Sequence, residues 1–199
     1  MKPSISIIHE TSDYVIFNKP TGLDSQNSKP DRPSVSGWLE ERYAYRGLVH
    51  RLDFGTSGIM IAAKTSKSAA HITDLMQKGK ITRCYKAIVM GLLENDKGTI
   101  EKEVEGKEAT SFYKVLERYR NATALEMTLD TGRKHQLRIH LHSIGHPIIG
   151  DHLYKKNGSH LLLKRPALHS WKLKFENKEY ICAEPEDILT LCTRLKGKS

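Results

Sequence analysis

The sequence predicts an α+β fold with a largely antiparallel sheet, on three observations. Short apolar and β-branched runs follow one another through tight turns from Thr99 to Asp130, which is the pattern of a meander. Stretches beginning near Ser34, Ser66, Thr131 and Pro185 instead repeat apolar residues at helical spacing behind residues that start helices. Between the first two of these, Ile59 to Ala63 is an unbroken apolar run that reads as a buried strand.

Taken in order, Ser4–His9 and Asp13–Phe17 read as a strand pair, which Pro20 stops and Gly22 turns. The polar stretch Ser25–Pro33 is a loop. Ser34 then caps a helix over Val35–Tyr43, with Val35, Trp38, Leu39 and Tyr43 as its core face. Ser66 caps a second helix, with Ala69, Ile72, Leu75 and Met76 inside and Gly79 just past its end. Ile81–Met90 is a strand that carries Tyr85, and Asp96-Lys97-Gly98 is a turn. Strands follow at Thr99–Val104, Thr110–Arg118 and Ala122–Asp130. Thr131 and Gly132 open a helix to about Ile144, buried along Leu137, Leu141 and Ile144. His160–Lys164 and Leu168–Phe175 read as strands, Asn177-Lys178 as a hairpin turn, and Pro185 as the start of a last helix carrying Ile188, Leu189 and Leu191.

Composition narrows the function. The chain has 199 residues, enough for one compact domain or a domain of two lobes, and its 32 Lys and Arg against 23 Asp and Glu give a formal charge of +9. That balance points to a polyanion, nucleic acid before membrane. The three cysteines, Cys84, Cys182 and Cys192, form no CxxC pair, so neither a disulfide framework nor a thiolate zinc site is indicated and reduced thiols in the cytoplasm are expected. No signal-like or membrane-length apolar segment is present.

Two dense stretches carry the chemistry. In His50-Arg51-Leu52-Asp53, the acid stands between a cation and a Gly-Thr-Ser-Gly turn at the mouth of the buried strand, which favours an ionised, oriented carboxylate. From these residues alone, an Asp ahead of such a turn is more often a turn residue that bonds its own backbone. The second stretch is Gly132-Arg133-x-His135-Gln136-Leu137-Arg138-x-His140, followed by Gly145-His146-Pro147-Ile148-x-Gly150-Asp151-x-x-Tyr154.

Both stretches resemble the signatures of the RluA family of pseudouridine synthases, as do Asn18-Lys19-Pro20-x-Gly22 and Arg83-x-Tyr85; the resemblance spans roughly residues 7–187. It implies a mixed, mostly antiparallel sheet with helices on the rims of a central cleft and Asp53 at its floor. It implies Asp53 as the essential catalytic residue, Tyr85 packed on the target base, and Arg138 paired with Asp53 in the bidentate geometry that lysine cannot supply. Arg51 is the residue expected to fill the gap left by a flipped uridine. Lys19, Arg133, His135 and Lys155 are further RNA contacts, and the loops Ser25–Pro33 and Lys155–Ser159 are candidates for substrate choice. The expected protein is one cytoplasmic catalytic domain over residues 1–199, without a separate N-terminal RNA-binding module. It is expected to be a monomer with no obligate protein partner and no membrane association, acting on ribosomal or transfer RNA without cofactor or metal.

Two rival readings come from other classes. His135, His140, His142, His146 and His152 with Asp151 suggest a metal-dependent hydrolase, but the i,i+4 pair His142/His146 straddles the predicted helix end and no HExxH element accompanies it. A non-catalytic RNA-binding protein of the same fold satisfies the charge, but has no need of Asp53, Tyr85 and Arg138 together.

Overall fold

The computed structural model describes residues 4–27, 32–154 and 162–197. In chain order the elements are β1 (Ser6–Glu10), β2 (Tyr14–Lys19), α1 (Val35–Glu40), β3 (Gly47–Leu48), β4 (Ser57–Ala63), α2 (Ser66–Gln77) and β5 (Thr82–Met90). They continue as β6 (Lys97–Glu101), β7 (Thr110–Arg118), β8 (Ala122–Leu129), α3 (Gln136–Ser143), β9 (Leu168–Phe175), β10 (Lys178–Ile181) and α4 (Glu186–Lys196). The fold is α+β and mostly antiparallel, as the meander and the helical periods predict. The chain forms two compact units, Met1–Thr82 with Ser170–Ala183, and Arg83–His169 with Glu184–Ser199.

The first unit is built on β4. This strand pairs antiparallel with β2, from Tyr14 opposite Ala63 to Lys19 opposite Gly58, and with the short β3. β1 pairs with the far side of β2. Every residue of β4 is buried, which explains its unbroken apolar run. Ile59, Ile61 and Ala63 pack with Ile16, Ile72 of α2, Leu173 and Phe175. Thr65 caps α2, one residue ahead of the expected Ser66, because its hydroxyl and that of Ser68 form a reciprocal capping box. Ser34 caps α1 as expected, although α1 ends at Glu40 and Trp38 and Tyr43 are only half-buried. Glu176 and Asn177, both at positive φ, make the two-residue turn between β9 and β10, so the hairpin turn lies one residue earlier than read.

One glycine in this unit has no substitute. Gly58 has φ +120°, and a Cβ there would stand 2.1 Å from the carbonyl oxygen of Ser170. Gly58→Ala therefore has to part β4 from β9, and is expected to destabilise the protein by at least about 4 kcal/mol. Urea unfolding followed by circular dichroism measures this; a loss under about 1 kcal/mol would mean that the strands can separate locally at little cost.

In the second unit β8 lies between β5 and β7, and β7 pairs on with the edge strand β6, all antiparallel. β7 and β9 have the bounds read from the sequence. α3 does not: it begins at Gln136 rather than near Thr131. The side chain of Gln136 ties up the preceding loop, accepting from the Thr131 hydroxyl (2.7 Å) and the Arg133 amide (3.0 Å). It also donates to Thr110 O (2.9 Å) and to the Ser111 hydroxyl (3.0 Å), so all its hydrogen-bonding positions are used within the fold. Ile144, read as part of the buried stripe, is 38% exposed. α4 is fastened by Arg165, whose guanidinium makes two 2.7 Å bonds to Asp187. Leu162–Lys164 are not a strand; His160 and Leu161, the rest of that expected strand, lie outside the described residues.

Candidate active site

Asp53 and Arg51 stand on the loop between β3 and β4 in the first unit, Arg51 exposed and Asp53 half-buried. The loop is bolted down on both sides of Asp53. Upstream, the Ser25 hydroxyl donates to Leu52 O (2.6 Å) and accepts from the Leu52 amide (3.0 Å). His50 turns back onto β4, its Nε2 accepting from the Ile61 amide (3.0 Å). Downstream, the Thr56 amide donates to Asp53 O (3.0 Å) and closes the turn. The Gly22 amide holds Phe54 O (2.9 Å) and the Thr21 hydroxyl holds Gly55 O (3.1 Å). The carboxylate is thus carried by a loop whose backbone is pinned from strand to strand.

Lys19 requires a correction. Expected to reach a phosphate, it is fully buried, and its ammonium donates to Pro20 O (3.1 Å) and Leu23 O (2.8 Å). A buried ammonium needs such acceptors. Here they belong to the segment that grips Phe54 and Gly55, so Lys19 braces the Asp53 loop instead of facing RNA. Nothing in the sequence separates a lysine at a strand end that faces solvent from one that turns inward.

Tyr85, Arg133, His135 and Arg138 belong to the second unit. Tyr85 on β5 is 5% exposed and pairs with Met127 of β8. Arg133 and Lys134 are exposed on the loop ahead of α3, and the Arg83 guanidinium lies against the bare face of Gly132. His135 sits at the helix N-cap with φ +56°. Lys155 lies outside the described residues, as do Lys156 and the rest of that loop, and so do residues 28–31 of the loop after Ser25.

Arg138 is buried on α3 and meets the carboxylate of Asp151, from the Gly150-Asp151-x-x-Tyr154 stretch. Its Nε and Nη2 donate to Asp151 Oδ2 (2.6 Å) and Oδ1 (2.7 Å). Asp151 is completely buried. Burial alone would raise its pKa, but the bonds and charge of Arg138, with the Leu153 and Tyr154 amides at 3.0 and 3.2 Å, outweigh it and hold the carboxyl below its ordinary value. The preceding residue, Gly150, passes tightly against the backbone of Arg165: at φ +78°, a Cβ there would stand 2.0 Å from Arg165 O. The Tyr154 ring covers the Arg138 guanidinium at 5.3 Å, and its hydroxyl meets His135 Nδ1 at 3.2 Å. The Gly-Asp-x-x-Tyr spacing was the available signal for this group, since an Asp side chain bonds amides two and three residues on.

The histidines do not make a metal centre. His140 Nε2 is held at Lys102 O (3.0 Å) and burial lowers its pKa; His146 Nδ1 is held at Met90 O (2.9 Å) and His152 Nε2 at Lys164 O (2.9 Å). Among the described residues no group of three or more His, Cys, Asp or Glu is placed to hold an ion, so the hydrolase reading loses its ligand set.

The fold has known counterparts. Human RNA pseudouridylate synthase domain containing 4 superimposes with a TM-score of 0.79 over 96% of this chain and 92% of its own, at 23% identity. Human RNA pseudouridylate synthase domain containing 1 does so with 0.76 over 92% and 84%, at 22% identity. These show the shared fold. Sequence defines the family. Residues 13–143 match the model of the RNA pseudouridylate synthase family. A ribosomal large subunit pseudouridine synthase D of Haemophilus ducreyi is 33% identical over 96% of this chain and 71% of its own length. A dual-specificity RNA pseudouridine synthase RluA of Pasteurella multocida is 32% identical over 88% of each. The chain belongs to the RluA family of RNA pseudouridine synthases, and its activity is that of an isomerase acting on uridine in RNA.

Proposed function

We propose that this enzyme isomerises uridines of ribosomal or transfer RNA with Asp53 as its catalytic carboxylate. The observation that carries the assignment is the pinned loop: Ser25, Gly22, Thr21 and Thr56 fasten the backbone on both sides of Asp53. Such preorganisation holds a reacting group in place without cost at the moment of reaction. The signature His50-Arg51-Leu52-Asp53 supports the same residue.

The reaction breaks the N1–C1′ bond of a uridine, turns the uracil, and forms a C5–C1′ bond. C5 loses a proton and N1 gains one, so nothing is oxidised or hydrolysed. Asp53 assists the cleavage by attacking the sugar or by removing a sugar proton; both routes need one fixed carboxylate. Tyr85 packs against the uracil and helps at the C5 proton. Arg138 is the positioning cation for Asp53, and its guanidinium is bonded to Asp151. Arg51, exposed beside Asp53, fills the gap left by the flipped nucleotide. Unstacking costs a few kcal/mol, which phosphate contacts by Arg133 and other exposed cations offset; His135 and Lys155 are proposed RNA contacts as well. The enzyme works as a monomeric catalytic domain in the cytoplasm. No described helix is long and apolar enough to cross a membrane.

Tritium release from RNA labelled at uridine C5 tests the reading and identifies the substrate pool. Release is expected from ribosomal RNA, transfer RNA or both, without added metal. No release from either pool, with RNA still bound, would defeat it.

A further inference from the structure

We propose that Tyr154 is a positioning residue for Arg138, packing on the guanidinium that serves Asp53 and sharing its Asp151 carboxylate. The proposal rests on the assignment of Asp53 and Arg138 above. Asp151 holds the Nε–Nη2 edge of that guanidinium with two bonds of 2.6 and 2.7 Å. These bonds fix the direction of the guanidinium on the Asp151 side. The Arg138 Cζ lies over the Tyr154 ring, 5.3 Å from its centroid, so the aromatic ring packs on the cation from a second segment.

Three contacts place this ring. Asp151 Oδ1, which takes a bond from Arg138, also accepts the Tyr154 amide at 3.2 Å, so one carboxylate sets both partners. The Tyr154 hydroxyl meets His135 Nδ1 at 3.2 Å. The His142 ring lies 6.1 Å from the Tyr154 ring. His135, Arg138 and His142 are three and four residues apart and form one stripe at the face of α3. Tyr154 lies along that stripe and spans the helix from its N-cap to its last turn. His135 takes a left-handed backbone at the N-cap and makes no capping bond with its side chain, which is turned to Tyr154 instead. The arrangement is built for orientation rather than stability. A buried ion pair contributes little net stability over an apolar pair of the same size, and Tyr154 is only half-buried, outside the core.

The test uses the full chain with Tyr154→Ala and Tyr154→Phe, read in two ways. The first is pseudouridine formation, separated into kcat and KM. The second is the 15N resonance of the Arg138 Nε–H, identified by its absence from Arg138→Lys. Tyr154→Ala is expected to lower kcat roughly tenfold, the scale of a desolvated cation–π contact, with KM for RNA unchanged and the Arg138 resonance shifted and broadened. Tyr154→Phe keeps the ring and is expected to restore kcat and the wild-type resonance. An unchanged resonance in Tyr154→Ala overturns the proposal, as does an effect on KM alone, which would assign Tyr154 to RNA contact. Wild-type enzyme that forms no pseudouridine would defeat the assignment of the site, while the resonance would still decide whether Tyr154 orders Arg138.

Discussion

Asp53→Asn is expected to fold, bind RNA and turn over nothing. The expected loss is at least about a thousandfold, because a carboxamide can serve neither as nucleophile nor as base. The substitution is close to isosteric, and the loop that carries it is held by contacts outside the replaced atoms: the Ser25 hydroxyl on Leu52, the Gly22 amide on Phe54 and the Thr56 amide on Asp53 O. Stability and RNA affinity are therefore expected to stay near wild type. Single-turnover tritium release beside filter binding separates the outcomes. Residual turnover within tenfold of wild type would remove Asp53 from its role. Equal binding with no turnover even in wild type would mark a protein of this fold that binds RNA without modifying it.

Asp151→Asn is expected to produce the largest loss of stability in the second unit, about 3–5 kcal/mol, since it removes one partner of a buried ion pair. Arg138 would keep its charge with a neutral amide in place of a fully buried carboxylate, and the Leu153 and Tyr154 amides would lose a charged acceptor. Acid should reproduce part of this effect in the wild type. The Asp151 pKa is lowered in the folded protein. Its contribution is thus complete above the unfolded value of about 3.9 and is lost as pH falls through the lower folded value. The gap in urea midpoint between wild type and Asp151→Asn should be widest near neutrality and narrow below about pH 4. A gap that does not change with pH would mean that Asp151 contributes through packing rather than charge.

How much of this was legible beforehand depended on the range of the interactions involved. β4 was readable because a strand buried on both faces leaves seven consecutive buried positions, and β7, β8 and β9 because side chains alternate along a pleated strand. The start of α3 was not, because Gln136 spends its carboxamide on Thr110, Ser111 and the Thr131–Arg133 loop, partners that periodicity does not reveal.

The sequence by itself determined the fold class, the family and the segments that carry the chemistry, since each is written in contiguous residues at characteristic spacing. Only the tertiary structure decided that Lys19 faces inward to brace the Asp53 loop, that Ser25 clamps Leu52, and that Asp151 and Tyr154 enclose Arg138. The reason is physical. Periodicity encodes which face of an element is buried, whereas the acceptor that a buried lysine, serine or arginine finds is set by backbone brought in from elsewhere in the chain.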